Sequence, residues 1–230
     1  MQEEAKKLRR SIIFSVGFIS LLWFVRFYEM GTDSDLSFLG ILPRTLKGSV
    51  GIITSPLIHG NFTHLLSNTF PLMLLTAGVV YFYDKIAIQI LTIIYLLTGI
   101  WVWIVAREAY HIGASGLVYG LVTFLFFSGV FRKDASSVAL SLIVVFLYGG
   151  MIYGLFPTNT GVSYESHIVG AITGIIIAFY YRKVPILPTR VYEWMKEEND
   201  NEHDDPIDQT YDFEIRYKYH RKENEDSDQA

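Results

Sequence analysis

The sequence predicts an all-α membrane protein, a polytopic bundle of six transmembrane helices with a cytoplasmic C-terminal tail. Three observations predict it. Of 230 residues, 51% are hydrophobic and only 18% are charged, which sets the chain apart from soluble domains of this length. The apolar residues fall into six long runs, roughly 11–30, 60–83, 86–106, 114–131, 137–156 and 163–182. Each approaches the ~20 residues that cross ~30 Å of hydrocarbon as a helix. The runs are continuous rather than alternating, and lipid admits only helices and closed barrels, so they read as helices.

Taken in order, the elements divide the chain into three parts. Residues 1–10 are a short basic N-terminus, 11–182 the six-helix membrane domain, and 183–230 an acidic tail. The first run lacks an A-x-A-like cleavage site and exceeds a typical signal-peptide core, so it reads as a retained span. A long loop, "GTDSDLSFLGILPRTLKGSVGIITSPLIH", separates spans one and two. Tyr83-Asp84-Lys85 makes a tight turn, "FRKDASS" a short connection, and "PTNTGVSYE" carries no Lys or Arg. Lys6, Lys7, Arg9, Arg10, Lys85, Arg132, Lys133, Arg182 and Lys183 lie on one side of this layout, whereas Arg44, Lys47 and Arg107 lie on the other. Positive residues collect on the cytoplasmic side, so both termini are expected there, in a multi-pass protein of the cell membrane.

The tail carries 7 Lys+Arg against 14 Asp+Glu. It reads as loosely ordered and solvated, with "YDFEIRYKY" alternating enough for a short strand or a docking segment. The chain has no cysteine, which excludes disulfides, a thiolate nucleophile and Cys-based metal sites. Neither a phosphate-binding glycine loop nor a basic nucleic-acid patch is present, so nucleic acid is not an expected partner.

Spans two, four and six all run from outside to inside in this layout, and their polar residues gather near the outer ends. Span two carries His64 and Asn68, span four opens with Ser115, and span six carries His167. At 1.5 Å per residue these share a depth of some 5–12 Å into the membrane. Ionisable groups at that depth are costly and face a bundle interior or a wet cavity. Gly116 and Gly120 on span four, and Gly170 and Gly174 on span six, are small-xxx-small pairs that allow close backbone approach. If those seams face each other, Ser115 and His167 meet at one end of a tight helix pair.

That meeting has a chemistry. A hydroxyl needs an adjacent base to become a nucleophile, and an imidazole titrates near neutrality. The oxyanion of acyl transfer needs fixed donors. His64 and Asn68, spaced i and i+4, share a helix face, and the Ser115 amide in the first turn of span four supplies a third donor. Gly113 and Gly116 let the chain bend and let a substrate approach. Tyr119, one turn below Ser115, can stack on His167 and orient it. His59 reads as a residue that ties down the long loop, His111 as a solvated loop residue, and Arg107 with Glu108 as an interfacial charge pair.

These residues resemble the rhomboid intramembrane serine proteases over essentially all of 11–182. "GASG" (Gly113–Gly116) matches the family's GxSG, "HIVGAITG" (His167–Gly174) its HxxGxxxG, and "HGNFTHLLSN" (His59–Asn68) its histidine and HxxxN arrangement. Each motif is short, but together, in the right order on spans four, six and two, they are specific. The resemblance implies a catalytic Ser115–His167 pair and an oxyanion hole from His64, Asn68 and the Ser115 amide. It also implies Tyr119 beneath the histidine, a supporting part for Gly113, Gly116, Gly170, Gly174 and His59, and neither metal nor cofactor. The implied partners are single-span membrane proteins cut near the outer membrane boundary, within the lipid bilayer. One departure concerns the first outer loop, where the family often has a Trp-Arg pair. Here the stretch reads "KGSVGIITSP" and the nearest arginine is Arg44. Two alternatives are a catalytically silent rhomboid-like factor that binds and traffics membrane proteins, and a small transporter. The first usually lacks the serine or histidine; the second calls for midplane polar groups and repeats.

Overall fold

The structure is a computed structural model and describes residues 2–133, 135–147, 153–157 and 163–184, all within the compact unit Met1–Pro188. The expected tail segment "YDFEIRYKY" lies outside these residues. Among the described residues the secondary structure is helical, with one isolated bridge between Ile41 and His111.

Seven α-helices follow in order: α1 Gln2–Thr32, the single turn α2 Gly51–Thr54, α3 Phe62–Phe82, α4 Ala87–Val105, α5 Ser115–Arg132, α6 Ala135–Leu147 and α7 Tyr164–Tyr181. By length and composition α1, α3, α4 and α5 can each cross a membrane. The first turn of α7, Tyr164-Glu165-Ser166-His167, is polar. Two boundaries differ from the sequence expectation. The first helix already runs from Gln2 rather than from near 11, its N-terminal end held by Lys7 to Asp84 at 3.5 Å and by Tyr81 donating to Glu4 at 2.8 Å. The fifth apolar run is not α-helical through to 156: α6 is described over Ala135–Leu147, and Tyr153–Leu155 form a 3-10 turn. Apolar composition predicts burial or lipid contact, and does not say where a backbone turns.

The helices show why these sequences pack as they do. In α4 the buried positions Ala87, Ile90, Ile94, Thr98 and Val102 form one stripe, while Ile88, Ile100, Trp101 and Ile104 on the other faces are exposed. A helix apolar on every face is at home only where its solvent is also apolar. In α1 the buried stripe includes Ser11 and Ser15, whose hydroxyls are satisfied by the carbonyls of Leu8 and Ser11, so they are buried without an orphaned donor. Pro71 sits inside α3 and removes one backbone donor; a packed membrane helix tolerates this. The core runs through α3, α4, α5 and α7, around Leu65, Leu72, Leu75, Ile90, Ile94, Leu121, Phe124 and Ala178.

The long first loop is a series of turns stapled to the C-terminal end of α4. Arg44 donates to the carbonyls of Ala106 at 2.7 Å and Ile104 at 3.3 Å, and Trp103 Nε1 donates to Thr45 O at 2.9 Å. A guanidinium suits this place because helix C-termini leave carbonyls unpaired. Arg44 and Trp103, distant in sequence, thus anchor the loop where no adjacent Trp-Arg pair exists.

Candidate active site

The site forms where the α4–α5 connection passes the first loop. His111 exchanges both backbone hydrogen bonds with Ile41 at 2.9 Å, and Gly113 N donates to Ser55 O at 2.9 Å. Gly113 adopts φ +103°, a conformation reserved for glycine. A Cβ there would also run into the His64 imidazole. Glycine is thus required twice, for the turn and for the ring lying against it. Ala114 caps the helix, and Ser115 is the first residue of α5, so its amide has no acceptor within the helix.

The glycine seams of α5 and α7 face each other. A Cβ on Gly170 would strike the Gly116 carbonyl, and one on Gly174 would strike the Gly120 carbonyl and Thr123 Oγ1. This contact brings His167 Nε2 to 2.8 Å from Ser115 Oγ. The other ring nitrogen, Nδ1, lies 2.7 Å from the Gly154 carbonyl on the Tyr153–Leu155 turn. A carbonyl only accepts, so Nδ1 carries the hydrogen and Nε2 presents its lone pair to the serine hydroxyl. Tyr119 stacks on the imidazole, with centroids 4.2 Å apart and planes 13° from parallel. His167 is buried and Ser115 is partly exposed.

His64 and Asn68 occupy the first two turns of α3, which Asn61 caps by accepting the His64 amide at 2.8 Å. The His64 ring lies on Gly113, two residues from Ser115. Asn68 is buried, and its Nδ2 donates to the His64 carbonyl at 3.0 Å. One of its two N–H hydrogens is thereby used and one remains. His59 is buried edge-on to His64, centroids 5.0 Å apart, and neither of its ring nitrogens has a hydrogen-bond partner among the described residues. Burial, with the neighbouring His64 second, pushes its imidazole down to about 4.

Two sequence expectations are corrected. His111 is not solvated: it is buried, with Nδ1 2.6 Å from Ser163 Oγ and Nε2 3.0 Å from the Arg107 carbonyl, and burial holds its imidazole below the usual range. The loop that carries it is covered by the first loop and by the start of α7, contacts no local pattern predicts. Arg107 takes Glu165 as its ion-pair partner, at 3.1 Å to both carboxylate oxygens. The bidentate geometry suits a guanidinium, and α7 brings Glu165 within reach where Glu108 is only a sequence neighbour. Sequence reasoning also missed Gly154, whose contribution is a backbone carbonyl, and Ser163; neither has a side-chain pattern that would mark it.

Residues 47–184 match the Rhomboid domain family. The chain belongs to the rhomboid family. Uncharacterized proteins of Mycobacterium tuberculosis (strain CDC 1551 / Oshkosh) and Mycobacterium bovis are each 34% identical over 176 residues, covering 70% of this chain and 71% of theirs. One from Mycobacterium leprae is 32% identical over 178 residues, covering 70% of this chain and 68% of its own. Family membership and the apolar helices together make this rhomboid a multi-pass membrane protein.

Proposed function

We propose that this rhomboid is an intramembrane serine endopeptidase that cleaves transmembrane segments of single-span membrane proteins near the outer membrane boundary. The observation that carries the reading is the Ser115–His167 contact at 2.8 Å with the tautomer set by Gly154. His167 Nε2 takes the Ser115 proton as Oγ attacks the scissile carbonyl. The tetrahedral oxyanion is met by the Ser115 amide, the free N–H of Asn68 and the His64 ring. His167 then returns the proton to the departing amine, and a water activated by the same nitrogen hydrolyses the acyl-enzyme. Gly154 and Tyr119 hold the imidazole in the plane and tautomer that both transfers need. The six-span count, with α6 and α7 as the last two spans and both termini in the cytoplasm of a cell-membrane protein, belongs to this proposal.

The test is reaction of the purified protein with a fluorophosphonate probe alongside cleavage of a model transmembrane substrate. Ser115→Ala is expected to abolish both while leaving the thermal melt nearly unchanged, because the hydroxyl contributes little to packing. Cleavage near the wild-type rate in that variant would overturn the assignment.

A further inference from the structure

The Ser–His–carbonyl arrangement occurs twice. Ser115, His167 and the Gly154 carbonyl form one set; Ser163, His111 and the Arg107 carbonyl form the other, at 2.6 and 3.0 Å. The imidazole of the second set is buried. Its value is in what it joins. His111 is bridged through its backbone to Ile41 of the first loop, and it lies four residues before Ser115. Ser163 is the N-cap residue of α7, four residues before His167. Its carbonyl accepts from Ser166 N at 3.1 Å, Ser166 Oγ at 2.7 Å and His167 N at 3.4 Å. The side-chain bond between His111 and Ser163 therefore spans the two backbone segments that lead into Ser115 and His167.

We propose that His111 is a positioning residue: through Ser163 it sets the start of α7 against the start of α5, and so the distance and angle between Ser115 and His167. The inference rests on the reading of those two residues as the reacting pair. The glycine seam fixes how closely α5 and α7 pack, but it does not by itself hold the segments that lead into Ser115 and His167. Arg107 with Glu165 gives one tie at this end, and the guanidinium is long and partly exposed. The His111–Ser163 bond is short, partly buried and directional, and it ties those two segments together. The tautomer follows: Arg107 O only accepts, so Nε2 carries the hydrogen and Nδ1 accepts from the Ser163 hydroxyl.

The experiment compares Ser163→Ala, His111→Ala, His111→Asn, His111→Gln and the Ser163→Ala/His111→Ala double variant in the full-length protein in detergent. Turnover is measured per Ser115 titrated by fluorophosphonate, so that a misfolded fraction does not count. Ser163→Ala and His111→Ala are each expected to lower kcat about tenfold with KM within twofold, the consequence of a sub-ångström misplacement. The double variant is expected to match the single variants in kcat, since all three break the same His111–Ser163 bond. An asparagine amide reaches where Nδ1 sits and is expected to restore most of kcat. A glutamine amide, which mimics Nε2, is not. Full kcat in Ser163→Ala, additive losses in the double variant, or equal rescue by Gln would each overturn the proposal. Ser115→Ala serves as the control: cleavage by that variant would defeat the protease reading itself, whereas a dead Ser115→Ala with a fully active Ser163→Ala defeats only this inference.

Discussion

At His59 neither ring nitrogen has a hydrogen-bond partner by geometry among the described residues and a second imidazole sits alongside, so burial and that neighbour disfavour charging the ring. Its pKa in the folded protein is about 4, whereas an unfolded histidine titrates near 6.5. Between those values the unfolded chain binds a proton that the folded chain does not, so stability falls as pH falls through that window and is unaffected above it. At pH 5 the difference amounts to about 2 kcal/mol, from ~1.4 kcal/mol per unit. His59→Leu, of similar volume, removes the titration together with two unsatisfied polar atoms. Its apparent melting temperature is expected to match or exceed wild type at pH 7, and to lead by a widening margin at pH 5. Parallel melting curves across that range would show that His59 is not an acid-sensitive point of the fold.

The α5–α7 pair is held in three places, each by different physics. Arg132 closes the end away from Ser115, donating to the Tyr181 and Val184 carbonyls at and just past the end of α7 and to Ser128 Oγ of its own helix at 3.2 Å. The glycine seam holds the middle by close backbone contact, with Thr123 Oγ1 donating across it to Ala171 O at 2.9 Å. Arg107–Glu165 and His111–Ser163 hold the end at the site. The middle has no slack. A methyl at Gly170 meets a carbonyl that belongs to rigid helix backbone, so Gly170→Ala is expected to cost about 1–3 kcal/mol and to lower kcat more than tenfold by parting Ser115 from His167. Gly17→Ala is the matched control, because nothing lies within 4 Å of a Cβ there. It is expected to keep full turnover and to melt no lower than wild type, alanine being about 1 kcal/mol better in a helix. Thermal melts and turnover on the two variants decide the matter; a Gly170→Ala protein indistinguishable from wild type would mean the seam can part without consequence.

For the molecule as a whole, the proposed orientation is open to direct mapping because the chain contains no cysteine. Single cysteines can be placed at exposed lysines on either side, Lys47 in the first loop and Lys85 in the α3–α4 turn. In intact cells, Lys47→Cys is expected to react with a membrane-impermeant maleimide and Lys85→Cys only after permeabilisation. The reverse pattern would invert the topology and put Ser115 at the cytoplasmic face, since charge bias is the whole basis of the orientation.

Residue type and spacing alone determined a great deal here: the helical structure of the described residues, the long apolar helices, and the glycine pairs that mark α5 and α7. Each is a pattern of side chains, and side-chain patterns follow from hydrophobic burial and helix geometry acting locally. Only the tertiary structure decided that the Gly154 carbonyl sets the His167 tautomer, that one N–H of Asn68 goes to its own helix, and that Arg107 turns to Glu165 rather than to its neighbour Glu108. It also decided that His111 is buried against Ser163, and that Arg44 and Trp103 staple the first loop from 59 residues apart. These partners are backbone atoms or come from distant segments. A backbone carbonyl is the same at every residue, and a single hydrogen bond contributes only about 1 kcal/mol. Which ones form depends on where the helices bring the loops, and that is settled only when the bundle has assembled.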